Sequence, residues 1–283
     1  MPELPEVQTI VNDLNKKVSG AKIIATWYDW PKFKTIEKAV GFTIKKVSRI
    51  GKNILFYLSD DKVLLVHHKM TGHILIGKWK IDGKKVIPLE PETLKEKVNN
   101  YIHFILTLND GRMIGLSDLR KFGKVIFGDE DKVESLPELK KLGPDVSDPK
   151  LKFVDFIKRI VGKSKTIYQI LMDQTIVSGI GNIYASDILW ESKVYPFKTA
   201  KSLTEEELKK IFKATQKIIN LALKLRGTSV SDYRDTDGKG GGYGEKRLVY
   251  KREKQPCKRC KTLIIRSKKG GRSSYYCPNC QKI

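Results

Sequence analysis

Cysteine is missing from the first 256 residues of the chain, and only four are present in all 283. Acidic side chains are scarce beside basic ones: 32 Asp and Glu face 55 Lys and Arg, a formal charge of +23. That imbalance sets aside an ordinary neutral metabolic enzyme. It points to a polyanionic partner, with nucleic acid and an anionic membrane surface as the rivals. Long apolar runs are also lacking. None approaches the ~18–20 residues that a bilayer-spanning helix needs. The start, Met1-Pro2-Glu3-Leu4-Pro5-Glu6, is acidic and carries neither the cationic nor the apolar region of a signal peptide. The expectation is a soluble, intracellular protein without membrane contact. No internal repeat is visible. With 40% hydrophobic residues, the chain can build folded cores, and its length suits two domains or one with an appendage.

The four cysteines, Cys257, Cys260, Cys277 and Cys280, form the pattern C-x2-C-x16-C-x2-C. An intracellular chain seldom keeps disulfides, and paired CxxC hooks suit the tetrahedral thiolate shell of one structural Zn²⁺ ion. Four protein ligands leave no open position, so this metal should organise the fold and take no part in chemistry. The surrounding segment, residues 246–283, holds 13 Lys and Arg against the single acid Glu253. A unit of this size builds little core, and the metal supplies the missing folding energy. Tyr275 and Tyr276 lie among the cations, as expected of a ribbon pressed on a phosphate backbone.

Hydrophobic periodicity divides the rest. Val7, Ile10, Val11 and Leu14 make a helical stripe, with Pro5 and Glu6 suited to its first turn and Gly20 to its end. From Ala21 to about Gly128 the chain reads as strands, including 54–58, 63–66, 102–108 and 124–127, punctuated by turn signals such as Asn109-Asp110-Gly111. A β-sandwich or barrel with one leading helix follows. After a polar hinge the pattern turns helical. Helices are expected over 166–173 and 183–192, and a longer one opens at a capping box of Ser202 with Glu205 and stops at Gly227. Between Gly227 and Glu245 lies a loop with six glycines, long enough to act as a lid or ligand loop rather than a plain connection. The expected fold class is α+β multidomain. Its parts are an N-terminal β-sandwich (1–130), a hinge (131–150), a helical domain that includes the glycine-rich loop (151–246) and a C-terminal zinc-finger β-hairpin (247–283).

Three separated motifs then carry a resemblance: Met1-Pro2-Glu3-Leu4-Pro5-Glu6-Val7, Gly179-Ile180-Gly181-Asn182-Ile183-Tyr184-Ala185, and the terminal cysteine hooks. In this order, over residues 2–282, they resemble formamidopyrimidine-DNA glycosylase, a bacterial base-excision-repair family in one superfamily with endonuclease VIII. The resemblance implies a helix–two-turn–helix around Asn182, damaged double-stranded DNA as partner, a monomer, and a cytoplasmic, nucleoid-associated enzyme.

It also implies roles for particular residues. Pro2, once Met1 is removed, would be the nucleophile. A secondary α-amine with an ordinary pKa of roughly 8 keeps a usable neutral fraction at pH 7, and a helix N-terminus and a nearby lysine favour that neutral form further. Glu3 would be the general acid/base, with Glu6 in support. Lys52 matches the lysine of β-elimination, and Arg272, five residues before Cys277, the arginine of the second, δ-elimination step. Met70, Arg120 and Phe122 match a wedge that fills the hole left by an extruded base. Asn182, Lys163 and Tyr101 complete the DNA-facing set; Asn182 could also cap its helix. Two departures stand out. His67-His68-Lys69-Met70 replaces the family's His-Leu-Gly-Met, and Tyr168 stands where the family has a lysine.

The start motif, the wedge and the long loop favour oxidised purines, namely 8-oxoguanine and formamidopyrimidines, with strand nicking by β,δ-elimination. The loop's Gly240-Gly241-Gly242 run implies a loose grip on the base. An endonuclease VIII-like enzyme for oxidised pyrimidines is the alternative. A non-catalytic zinc-ribbon nucleic-acid binder would explain charge and metal, but not the N-terminal motif.

Overall fold

The computed structural model describes residues 2–282 apart from Ser231. Met1, whose removal the resemblance requires, lies outside the described residues. Two compact units emerge: Met1–Lys140 with Leu225–Gly244, and Lys141–Lys224 with Glu245–Ile283.

The first unit opens with helix α1 (Leu4–Val18). Nine strands follow: β1 (Ile23–Tyr28), β2 (Ile44–Ile50), β3 (Asn53–Leu58), β4 (Lys62–His67), β5 (His73–Asp82), β6 (Lys85–Glu90), β7 (Ile102–Leu108), β8 (Met113–Ser117) and β9 (Lys124–Asp129). They form a five-stranded sheet, β1-β7-β8-β5-β6, and a four-stranded sheet, β2-β3-β4-β9, with antiparallel neighbours throughout. Ile54, Phe56 and Leu58 of β3, at period two, share one core with Phe104, Leu106 and Leu108 of β7 and with Val7, Ile10, Val11, Leu14 and Val18 of α1. The expected sandwich with a leading helix is therefore what forms. Each such side chain contributes about 1.5–3 kcal/mol by leaving water. The second face of the larger sheet is covered too, by a cluster of Leu75, Trp79, Leu94, Ile102 and Ile105. Burial on both faces explains why 102–108 is an almost unbroken apolar run rather than an alternating one. Asn15 stitches α1 to β2, its side-chain amide pairing with both backbone groups of Val47. Between β1 and β2, and again over 92–99, the chain makes 3-10 turns where strands were expected. Two short helices, α2 (Glu130–Glu134) and α3 (Pro137–Lys140), occupy the expected hinge.

In the second unit, α4 (Phe153–Lys158), α5 (Ile167–Leu171), α6 (Asn182–Glu191) and α7 (Glu205–Lys224) pack together. A short α8 (Tyr243–Lys246) precedes the hairpin of β10 (Ile265–Lys269) and β11 (Arg272–Tyr276). The capping box of α7 sits two residues later than expected. Thr204 Oγ1 accepts the Glu207 N–H (3.2 Å), and Glu207 accepts the Thr204 N–H (2.9 Å). Ser202 is instead spent in a 3-10 turn, its hydroxyl donating to the Thr199 carbonyl (2.9 Å).

The glycine-rich stretch 225–244 packs with the first unit. Its anchors are polar. Arg226 forks onto Asp13 (2.6 and 3.1 Å) and reaches Asp235 (2.8 Å). Ile76 donates its N–H to the Thr236 carbonyl (2.8 Å), and Lys17 pairs with Asp237. Gly241 is there for close approach, since a Cβ would stand 2.4 Å from the Gly227 carbonyl oxygen. Among the described residues no helix is long and apolar enough to cross a membrane.

Candidate nucleic-acid processing site

Pro2 and Glu3 are buried at the start of α1, with Glu3 its N-cap residue. Glu6, one turn on, reaches back: its Oε2 accepts the Glu3 N–H at 2.7 Å and its Oε1 the Thr228 N–H at 2.7 Å. One carboxylate thus fixes both the residue after Pro2 and the beginning of the glycine-rich loop. Gly227 is obligatory at this junction. Its φ is +78°, and a Cβ would stand 2.8 Å from Glu6 Oε1.

Lys52 occupies the two-residue turn between β2 and β3, where Ile50 pairs with Asn53 and Gly51 takes a φ of +58°. It is almost fully buried, with 8% exposure, which is unusual for a lysine in a hairpin turn. Arg49 holds this turn to α1. Its Nε donates to Gln8 Oε1 (2.6 Å), and its Nη1 donates to the Gly51 carbonyl (3.1 Å). The turn bearing Lys52 and the helix that starts after Pro2 are therefore tied by a single guanidinium.

Met70 and Phe122 are 42% and 51% exposed, far more than large apolar side chains usually are. They sit on two separate turns, β4–β5 and β8–β9, which buried Asp118 joins. Its Oδ1 accepts the Thr71 hydroxyl and the Arg120 N–H (3.3 Å), and its Oδ2 accepts the Gly123 N–H (2.7 Å). The Arg120 guanidinium lies 4.8 Å from the centre of the Phe122 ring, a cation–π stack that presents both to solvent. Half-buried Tyr101 joins the same assembly, its carbonyl accepting the Asp118 N–H (2.8 Å). Lys69 takes a left-handed φ of +54°, a backbone shape natural to glycine that costs another residue about 1–2 kcal/mol.

Histidines underlie this turn. Burial is the first cause that holds His67 down at about 4, with Lys69 and Lys52 adding to it. Burial likewise takes His68 to about 3 and His73 to about 4. Neither ring nitrogen of His68 has a hydrogen-bond partner among the described residues.

In the second unit, α5 and α6 are joined by two tight turns. Gln174 closes them, its Nε2 donating to the Ile180 carbonyl (2.7 Å) and its Oε1 accepting the Gly179 N–H (3.0 Å). Gly181, not Asn182, is the N-cap of α6. Asn182 directs its side chain to the Tyr168 hydroxyl instead. The positive end of the α6 dipole lies here, an anion-binding geometry. Exposed Lys163 stands in the turn between α4 and α5. Arg272 opens β11 after the Gly270-Gly271 turn, and its guanidinium lies 3.6 Å from the Met172 sulfur.

The four cysteine sulfurs lie within 4.8 Å of one another. Three of their separations are 3.3, 3.4 and 3.9 Å, against about 3.8 Å along the edge of a tetrahedral zinc–thiolate site with 2.3 Å bonds. Backbone N–H groups of Arg259 and Cys280 point at Cys257 and Cys277 Sγ (3.4 Å each), and the Trp190 indole N–H points at Cys257 Sγ (3.3 Å). The donor set fits one structural zinc ion. Asp187 of α6 seats the ribbon by accepting the N–H groups of Leu248, Val249 and Tyr250 at 2.9–3.2 Å.

Sequence reasoning missed Asp118, Asp187 and Arg49. Each has a partner far away in sequence, Asp118 in Thr71, Asp187 in residues 248–250 and Arg49 in Gln8, and no local spacing marks those pairings.

Comparison with known proteins covers nearly the whole chain. Residues 1–125 match the formamidopyrimidine-DNA glycosylase N-terminal domain, 142–234 its H2TH domain, and 254–283 the zinc finger found in FPG and IleRS. A formamidopyrimidine-DNA glycosylase of Desulforamulus reducens is 36% identical over 291 residues, covering 100% of this chain and 99% of its own length. That of Ureaplasma parvum is also 36% identical, covering 99% of this chain and all of its own. Among solved structures, the Lactococcus lactis Fpg in complex with DNA containing an abasic site is similar at a TM-score of 0.87 and 29% identity, over 99% of this chain and 100% of the other. The MutM (Fpg) protein of Thermus thermophilus is similar at 0.84 and 31%, over 99% and 98%.

Proposed function

The chain belongs to the formamidopyrimidine-DNA glycosylase family, and from that premise we propose that it excises oxidised purines from duplex DNA and then nicks the strand at the resulting site. Its substrates are 8-oxoguanine and formamidopyrimidines, it acts as a monomer, and it works in the cytoplasm on the nucleoid. Zinc, held by Cys257, Cys260, Cys277 and Cys280, shapes the hairpin that carries Arg272.

The nitrogen of Pro2, freed by loss of Met1, attacks the sugar C1′. The bond to the base breaks, and the departing base takes a proton delivered by Glu3. The Pro2 N–H proton returns to Glu3 and passes from there to O4′ as the C1′–O4′ bond breaks, leaving an iminium between Pro2 and the opened sugar. A base then removes a C2′ proton and the 3′-phosphate leaves, the step assigned to Lys52. A further elimination, assisted by Arg272, expels the 5′-phosphate. Met70, Arg120 and Phe122 fill the stack behind the extruded base and offset a few kcal/mol of unstacking. Asn182, Lys163 and Tyr101 hold the backbone, with Lys69 adding a cation at the wedge turn.

The observation that supports this reading best is the build of the amine's surroundings. Pro2 is buried against the N-terminus of α1, Glu6 fixes the Glu3 backbone, and Arg49 tethers the Lys52 turn to the same helix. The experiment is borohydride reduction during incubation with a duplex carrying 8-oxoguanine opposite cytosine. A covalent protein–DNA complex is expected. Its absence, or an equal yield from protein whose α-nitrogen is blocked by acetylation, contradicts the proposal.

A further inference from the structure

Tyr168 is fully buried in α5. Its hydroxyl reaches two groups from distant parts of the second unit, the Asn182 side-chain amide and the Ser273 carbonyl oxygen (2.7 Å). Ser273 follows Arg272 on β11. The neighbouring contacts run in register. Gln169 Nε2 lies where a Cβ on Gly270 would be 2.9 Å away, and Met172 Sδ meets the Arg272 guanidinium at 3.6 Å. One short helix therefore forms a seat for hairpin residues 270–273 and, through its phenol, for the first residue of α6.

A phenol has one proton, and a carbonyl oxygen can only accept it. With that proton on the Ser273 carbonyl, Asn182 completes the network by turning its amide so that Nδ2 donates to the phenol oxygen. Amide oxygen and nitrogen exchange places by a half-turn, and the hydrogen-bond network decides between them. The second Nδ2 hydrogen then remains for a phosphate oxygen. A lysine at 168 carries only donors, so it could serve the Ser273 carbonyl and the Asn182 oxygen but would place a charge where this chain places none.

We infer that Tyr168 is a positioning residue that sets Asn182 and Arg272 jointly, so that backbone grip and the second elimination step depend on one buried hydroxyl. This rests on the function proposed above. The T-shaped contact of its ring with Phe197, 6.3 Å between centroids, needs no hydroxyl, so Tyr168→Phe retains the packing.

The test is a double-mutant cycle of Tyr168→Phe and Asn182→Ala, read first as affinity for a duplex bearing a tetrahydrofuran abasic analogue, which cannot react. Tyr168→Phe should weaken binding about five- to ten-fold, the loss of one to two buried hydrogen bonds. In the Asn182→Ala background the same change should have almost no effect. Wild-type affinity in Tyr168→Phe, or effects of the two changes that simply add, overturn the inference. On a true abasic duplex, Tyr168→Phe should shift products from δ toward β at an unchanged thermal midpoint and zinc content. An unchanged product ratio counts against the Arg272 half. Wild-type protein provides an arm that needs no variant: one Asn182 side-chain amide hydrogen should exchange slowly with solvent, and fast exchange of both overturns the link. Failure of the wild-type protein to nick an abasic duplex refutes the proposed function instead, and leaves the affinity cycle interpretable.

Discussion

Replacing Asp118 by asparagine alters a single acceptor in the assembly that holds the two exposed turns together. The carboxylate takes the Thr71 hydroxyl and the Arg120 N–H on one oxygen and the Gly123 N–H on the other, at 2.7 Å. Asparagine keeps the first oxygen and puts an NH2 opposite the Gly123 N–H. The loss is one hydrogen bond to a carboxylate together with a stranded buried donor, so about 2 kcal/mol. Shape and volume hardly change, and no cavity term enters. If the whole cost falls on the arrangement that presents Met70, Arg120 and Phe122, its equilibrium constant against competing arrangements drops by about thirty-fold, the upper bound on the loss of excision, since each 1.4 kcal/mol is tenfold. The assay compares single-turnover excision of 8-oxoguanine with nicking of a preformed abasic site, alongside urea unfolding. Excision should fall about ten- to thirty-fold and abasic nicking less than about three-fold, because only the former must extrude and replace a stacked base. Equal losses on both substrates, or wild-type excision together with wild-type stability, refute the reasoning.

Other outcomes follow from the same geometry. Met70→Ala and Phe122→Ala, at side chains about half exposed, should leave stability within about 0.5 kcal/mol while reducing 8-oxoguanine excision, as paired unfolding and turnover measurements will read. The folded pKa values of His67, His68 and His73 lie near 4, 3 and 4, below the ordinary 6.5. The unfolded chain therefore binds protons first on acidification, and stability present above pH 6.5 is lost as pH falls from there toward 4. His68→Leu should reduce the slope of unfolding free energy between pH 6.5 and 5 by up to about 1.4 kcal/mol per pH unit, and an unchanged slope contradicts the buried neutral histidine. Stripping zinc with a chelator should unfold the hairpin, release one metal equivalent and abolish δ-product; retained δ-elimination in metal-free protein would falsify the role given to Arg272.

Much of this fold is written in local patterns. Strands 54–58, 63–66, 102–108 and 124–127 coincide with β3, β4, β7 and β9 to within a residue or two, because apolar content at strand spacing over a buried face leaves few alternatives. The zinc hooks needed only spacing and thiol chemistry. Where two local solutions compete, sequence does not choose. Ser202/Glu205 and Thr204/Glu207 both satisfy the capping-box spacing, and the 3-10 turn at 200–202 decides in favour of the second. Asn182 had a standard capping reading, yet a hydroxyl 14 residues away claims its side chain. Gly241 reads as flexibility in a composition count, whereas its role is to let one backbone segment touch another. Asp118 and Asp187 look like surface acids, and only the tertiary fold brings the Thr71 hydroxyl to the first and the N–H groups of Leu248, Val249 and Tyr250 to the second.

The most direct measurement is peptide mapping of the borohydride-trapped protein–DNA complex by mass spectrometry. The sugar remnant should sit on the α-nitrogen of a chain that begins at Pro2. A remnant on the ε-amine of Lys52 or of any other lysine, or on a chain still carrying Met1, contradicts the chemistry assigned to this protein.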